Sequence, residues 1–386
     1  MHPNKYILLC LFPAVWLSSC IKSFEPGITG SDINKLVVSG IITDRDGNQT
    51  VTISTASSVN TPEYKPVTGC IVTVSDTLAH QFPMTDGGDG NYRGFIDPKY
   101  LVSGNAFRID IRTPDGRSIQ SDFDRFSPVP EVDSVYYLRK DLPTGDPADF
   151  IKGIQFYVNL EGKSTDTRFY RWEAFETWEY HADYPKEWYY NGRIRLQSPP
   201  DYSNMVCWIT LPVKNIYIAS TANFSENRYS LFPLHFVDNL TSRLVYGYSL
   251  LVNQYSLSEN AYKYWNQLRL NSTSQGGLYE IQPLATKGNL HVLLHPEQDV
   301  LGFFGVSSQR SKRIFVKNVQ NLVLEYSSSC AFVPLQQYEL ESYSPEEYPV
   351  YLTTDNSGNP SIRMSKECVD CRARFGTTSK PDFWPY

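Results

Sequence analysis

The chain reads as mainly β: an N-terminal Ig-like antiparallel sandwich, then a larger β-rich domain carrying one amphipathic helix. Three observations predict this. Short apolar–polar alternations recur from residue 36 onward, separated by Asp, Gly, Asn and Pro turn chemistry. The 27 Tyr, 20 Phe and 7 Trp far outnumber the 4 Met, a bias toward side chains that suit a half-buried pleated sheet. One segment near residues 257–270 carries a helical repeat.

In chain order, the first element is an address. Lys5 precedes an apolar run over residues 6–17, too short to span a bilayer and suited to a secretory signal. The run ends in Leu17-Ser18-Ser19-Cys20, a bacterial lipobox in which the thiol is diacylated and cleavage leaves Cys20 first. Residues 1–19 are thus read as a lipoprotein signal peptide, Cys20 as the lipidation site, and 20–34 as a lipidated tether containing Pro26 and Gly27. No later apolar run reaches membrane-spanning length, so the expected hold on the membrane is the N-terminal lipid. The formal net charge of −6 argues against nucleic acid and against electrostatic adsorption to anionic lipid.

Residues 35–127 are expected to form the sandwich. LVVSGIITD, TVTISTAS, CIVTVSD, NYRGFI, AFRIDIRTPDG and RSIQSDF follow one another with no helical segment. The turns between them hold Asp46-Gly47-Asn48, Asp89-Gly90-Asn91 and Pro114-Asp115-Gly116. Asp44 to Asn48 and Asp86 to Gly90 resemble pieces of calcium loops but lack the later glutamate that such loops need.

Pro128 and Pro130 mark a hinge, and residues 128–386 form the second domain. In FYRWEAFETWEY, Tyr170, Trp172, Ala174, Trp178 and Tyr180 share one side, with Glu176 the exception. Arg171, Glu173 and Glu179 lie opposite; they read as a solvated face, or as a carboxylate pair or sugar platform. Ser256-Leu257-Ser258-Glu259 is expected to be a capping box, ahead of a stripe formed by Ala261, Tyr264, Trp265 and Leu268. That helix should end before Asn271, with Gly276-Gly277 in the following loop.

Beyond Cys10 and Cys20, five cysteines remain, an odd number that leaves at least one thiol free. Cys70 and Cys207 sit in strands and suit either a core thiol or a bridge. Cys368 and Cys371 have metal-knuckle spacing but no second pair nearby, so a disulfide from Cys330 to Cys368 or Cys371 is the better reading, with the choice open. His291 and His295 frame a short strand without a partner carboxylate fixed by sequence. No nucleophile elbow, Walker loop, Rossmann fingerprint or H-E-x-x-H occurs. No catalytic, cofactor-binding or metal-ligating residue is therefore assigned, and no cofactor is expected.

Several stretches resemble one family together: LVVSGIITD, YRWEAFETWEY, YSLLVNQYSLSENAYKYWNQLRLN, GGLYEIQPLATKGNLH, VLGFFGVSS, KRIFV, and the tail ECVDCR with KPDFWP. In this order they are similar to the Bacteroidota outer-membrane lipoproteins grouped as a domain of unknown function, DUF4249. The tail departs from the pattern at the single glycine Gly376, where relatives often show a pair. The resemblance implies a lipid-anchored outer-membrane protein commonly encoded beside TonB-dependent receptors, and it carries no catalytic residue beyond the lipidated Cys20. The expected function is a non-enzymatic partner of a TonB-dependent barrel in nutrient uptake, its ligand unspecified. An envelope scaffold or adhesion lipoprotein is the alternative, and a glycan or peptide hydrolase the second.

Overall fold

The computed structural model describes residues 35–57, 62–147, 149–273, 286–295, 297–328, 330–333, 337–363 and 365–386. The signal peptide, Cys20, the tether, Gly276-Gly277 and Pro296 lie outside them. Strand makes up 48% of the chain and helix 11%, so the protein is mainly β as its alternations predict.

The N-terminal strands build one continuous, sandwich-like sheet. Its order is Leu290–Val292, Ser118–Ser121, Ala106–Arg112, Ile71–Asp76, Gln81–Asp86, Asn91–Phe95, Asn48–Thr55, Leu36–Thr43 and Leu301–Ser307. Alternate residues turn inward: Val38 and Ile42, Val51 and Ile53, Val72 and Val74, Ile109 and Ile111 are buried in one core. Gly47, Gly90 and Gly116 hold the three expected turns at positive φ, where a Cβ would be strained. Gln81–Asp86 escapes sequence reading because Pro83 sits mid-strand.

The expected purely antiparallel sheet needs one correction. Leu36–Thr43 pairs in parallel with Leu301–Ser307, from Val37 opposite Leu301 to Thr43 opposite Ser307. Phe304 and Val306 complete the core over Val38 and Ile42. The backbones meet closely at Gly302, where a Cβ would lie 1.9 Å from the Val38 carbonyl oxygen. Lys35 and Asp299, 264 residues apart, close the end of this pair with an ion pair at 3.0 Å.

A second core lies between two further sheets. One is Ser134–Pro143, Phe150–Glu161 and Arg228–Asp238; the other is Val206–Pro212, Phe169–His181, Tyr248–Ser256 and Gln309–Val316, with Tyr217–Ser220 added to Phe169–His181. Ile154, Phe156 and Val158 meet Tyr170, Trp172, Leu250 and Val252 there. A smaller sheet is built from Ile194–Asp201, Lys186–Tyr190, Val350–Thr354, Pro360–Arg363 and Phe332–Val333. Tyr190, Leu340, Val350 and Leu352 form its core.

The predicted helix is Glu259–Thr273, three residues beyond its expected end before Asn271. Its cap is Ser258, not Ser256: the Ala261 amide donates to Ser258 Oγ at 3.1 Å. Ser256 Oγ instead donates to the Ser127 carbonyl at 2.6 Å and accepts from the Ser308 amide at 2.8 Å. Ala261, Tyr264 and Trp265 of the expected stripe pack with Ile218, Leu257 and Phe303.

The proline hinge is pinned rather than free. The Pro130 carbonyl accepts from Gln254 Nε2 at 2.9 Å, and the Asp133 carbonyl from Lys312 Nζ at 2.7 Å. Asp44, at the far end of Leu36–Thr43 from Lys35, accepts from Ser308 Oγ, the Gln309 amide and Arg310 Nη1 at 2.8–3.0 Å. The calcium-like Asp44 segment thus serves as a clasp between the first sheet and the second core.

Candidate functional site

Phe169–His181 runs through the middle of the second region and carries the carboxylates that sequence singles out. On its core side, Tyr170, Trp172, Ala174 and Tyr180 are buried as the alternation requires. Trp172 stacks on Phe232 with centroids 4.5 Å apart and donates from Nε1 to Gln254 Oε1 at 2.9 Å. Glu176, the exception in that row, is only 7% exposed.

A buried carboxylate is costly unless its charge is met. Here His235 Nε2 lies 3.2 Å from Glu176 Oε2, Arg243 Nη1 3.3 Å away, and the Tyr248 hydroxyl donates to the same oxygen at 3.1 Å. Burial alone would raise the Glu176 pKa; His235, Arg243 and Tyr248 overcome it and hold the carboxyl below its usual range. Burial beside that anion pushes the Tyr248 hydroxyl well up, and burial takes Tyr217 to about 12. Arg243 also pairs with Asp238 at 3.5 Å. The cluster is a charge-satisfied knot between sheets, and its three partners come from three different segments that no local motif names.

The opposite side is not the expected solvated face. Arg171 is 9% exposed, with its guanidinium 3.9 Å from the centre of the Trp265 ring on the helix. Arg171 Nη2 donates to Glu173 Oε1 at 2.5 Å, and the Tyr255 hydroxyl donates to Glu173 Oε2 at 2.8 Å. The helix covers this side, so the polar residues read as outward-facing are half-buried beneath it. Glu179 lies further along, paired with His181 at 2.7 Å and with Trp384 Nε1 at 3.2 Å. Six residues of strand place Glu173 and Glu179 ~20 Å apart. A glycosidase pair needs roughly 5–10 Å, so these two carboxylates do not form one.

The cysteine-bearing tail is resolved into two bridges. Cys330 pairs with Cys368, and Cys371 pairs with Cys207 of Val206–Pro212; the Cα atoms are 5.7 Å apart in each. Cys330 thus takes the first of the two partners that sequence left open, and Cys207 takes the second. Among the described residues Cys70 is the free thiol; it is buried, and its amide donates to the Tyr92 hydroxyl at 3.0 Å. With Cys368 and Cys371 both bridged, neither is a thiolate ligand for a metal. His291 lies 3.1 Å from Asp122, and His295 lies 3.1 Å from Glu297. Among the described residues no group of three or more His, Cys, Asp and Glu is placed to hold a metal ion. Nor is any described helix long and apolar enough to cross a membrane.

Packed sheets, internally satisfied charge clusters and a tail fastened by two disulfides define a β-rich, disulfide-braced protein. The chain belongs to the family described as domain of unknown function (DUF4249), whose profile matches residues 21–313. The match takes in the first sheet, Phe169–His181 and the helix, and stops before the disulfide-bearing tail. No curated protein matches the chain.

Proposed function

We propose that the protein is a non-enzymatic, lipid-anchored outer-membrane lipoprotein that serves a TonB-dependent receptor as an accessory in nutrient uptake. The observation that carries this reading is the agreement between the Leu17-Ser18-Ser19-Cys20 lipobox and the two disulfides. Disulfides persist in oxidising compartments outside the cytosol, which is where a lipobox sends a chain. A diacyl anchor holds a protein at a membrane where a single chain holds it only marginally. A net charge of −6 adds no attraction to anionic lipid, so the lipid at Cys20 carries the attachment.

Purification of the acylated protein from detergent-solubilised outer membranes, followed by mass spectrometry, tests the partner. A TonB-dependent barrel in stoichiometric amount is expected. Recovery of the lipoprotein without any barrel would overturn the accessory role. Cys20→Ala should leave the protein in the soluble envelope fraction; if it stays with the membrane, the lipid is not the anchor.

The pinned junction favours a second reading, an envelope scaffold. The tether enters at Lys35, and the second core is clasped at Asp44, at the other end of an eight-residue strand. The first sheet then acts as a spacer of ~26 Å. On that reading, deletion impairs envelope integrity rather than growth on one nutrient.

A further inference from the structure

The outer face of the first sheet carries a groove of about 550 Å³. Its floor lies on two adjacent central strands, where Thr73 pairs across to Asp110 and Ser75 to Arg108. Both strands are paired on either side, to Gln81–Asp86 and to Ser118–Ser121, so their backbone groups are used in the sheet. Only side chains remain to recognise anything in the groove, which excludes an added peptide strand as the occupant.

These side chains are set in place. Asp110 accepts from Ser75 Oγ at 3.1 Å and from Gln120 Nε2 at 2.6 Å. Arg108 Nε lies 3.4 Å from Asp110 Oδ2, too poorly aligned for a hydrogen bond; this buried N–H has no hydrogen-bond partner. The guanidinium sits 5.0 Å from the centre of the Phe123 ring, which is 43% exposed and forms one wall. The opposite wall is the loop through Ala79, held at a φ of 66°. Asp76 ties that loop down, accepting from the Leu78 and His80 amides at 3.0 and 2.9 Å and from Asn105 Nδ2 at 3.1 Å. The groove is therefore preformed.

Its chemistry names a ligand class. The charges of Arg108 and Asp110 offset each other on the floor, which disfavours a strongly charged ligand. What remains is the Arg108 guanidinium, whose side chain is 34% exposed, a carboxylate with spare lone pairs, the Thr73 hydroxyl and one exposed aromatic face. A flat, neutral molecule with several hydroxyls on its edge and C–H groups on its face meets all of these, and a pyranose ring is such a molecule. We propose that this groove binds a neutral pyranose unit of a glycan, with Phe123 against the ring face and Arg108 and Asp110 on its hydroxyls. The assignment goes beyond the accessory role and holds whether or not a barrel is the partner.

Saturation-transfer NMR on the full soluble chain, with D-glucose, D-galactose, D-mannose and D-xylose as separate probes, tests it. Transfer to at least one pyranose is expected. Phe123→Ala should weaken that probe about tenfold, the factor that loss of ~1.4 kcal/mol of ring contact gives. Asp110→Asn should weaken it while the melting temperature holds. No transfer to any of the four, or transfer undiminished in Phe123→Ala, would overturn the site. Glycine serves as the control: transfer to glycine alone would refute the sugar assignment in favour of a zwitterion held by Arg108 and Asp110.

Discussion

Asp124 and Glu176 are both buried carboxylates, and their surroundings move them in opposite directions. Asp124 is 4% exposed, accepts from the Val306 amide at 2.9 Å, and has no cation paired with it among the described residues. Burial lifts it from 3.8 to about 6, with Ser258 and the Val306 and Arg125 amides offsetting only part. Because the folded value is raised, its contribution to stability is full below pH 4 and is lost as pH climbs through 6. The loss is about 3 kcal/mol at neutral pH. Glu176, lowered by His235, Arg243 and Tyr248, has the reverse sign: its contribution is present above its ordinary value and falls away in acid. Asp124→Asn keeps an acceptor for Val306 without the buried charge. Urea unfolding at pH 7.5 should find the variant ~1–3 kcal/mol more stable than the parent, with the advantage gone at pH 4. Parallel pH profiles for the two proteins would refute the assignment. Glu176 was legible in sequence only as an interruption of alternation; His235, Arg243 and Tyr248, the reason it is tolerated, lie 59–72 residues away.

The helix shows what periodicity can and cannot supply. Its existence and stripe follow from the spacing of Ala261, Tyr264 and Trp265, because a 3.6-residue repeat has few other readings. Its cap does not, because Ser256 and Ser258 are chemically alike and only tertiary partners separate them. Ser127 and Ser308 claim the Ser256 hydroxyl, which leaves Ser258 for the helix. The same blindness applies to the polar side of Phe169–His181, whose sequence cannot reveal that a helix lies across it. Arg171 beneath Trp265 gives that contact a measurable strength. In a double-mutant cycle, Arg171→Ala and Trp265→Ala should be non-additive by ~1–2 kcal/mol, the range for a desolvated cation–π pair. Additive losses would mean that the helix lies over the sheet without this contact.

Across the whole molecule, the C-terminal tail is held by covalent bonds more than by a large core. Among the described residues its core cluster holds four buried apolar side chains, whereas its bridges close sequence separations of 38 and 164 residues. In the chain-entropy account, loops of those lengths are stabilised by about 4 and about 5 kcal/mol. Reduction, or Cys371→Ser with Cys207→Ser, should therefore expose the tail to limited proteolysis while the first sheet stays protected. Uniform loss of protection along the chain would show that the tail and the first sheet unfold together. The mainly β class and the single long helix were readable because they rest on local alternation. The order of strands was not, since the sheet borrows Leu301–Ser307 from a distant stretch that carries no pairing signal of its own.

That borrowed strand sets a timetable for folding. A chain crossing a membrane from its N-terminus delivers Leu36–Thr43 long before Leu301–Ser307 emerges. Through that interval both edges of the first sheet stay open, because Leu290–Val292 and Leu301–Ser307 cover them, and an unpaired edge is a template for association with any other extended chain. Pairings of such long sequence separation form slowly. On the proposed export, molecules in transit should therefore depend on a holding chaperone until residue 307 is through, and they should be most prone to aggregate when transport stalls shortly before it.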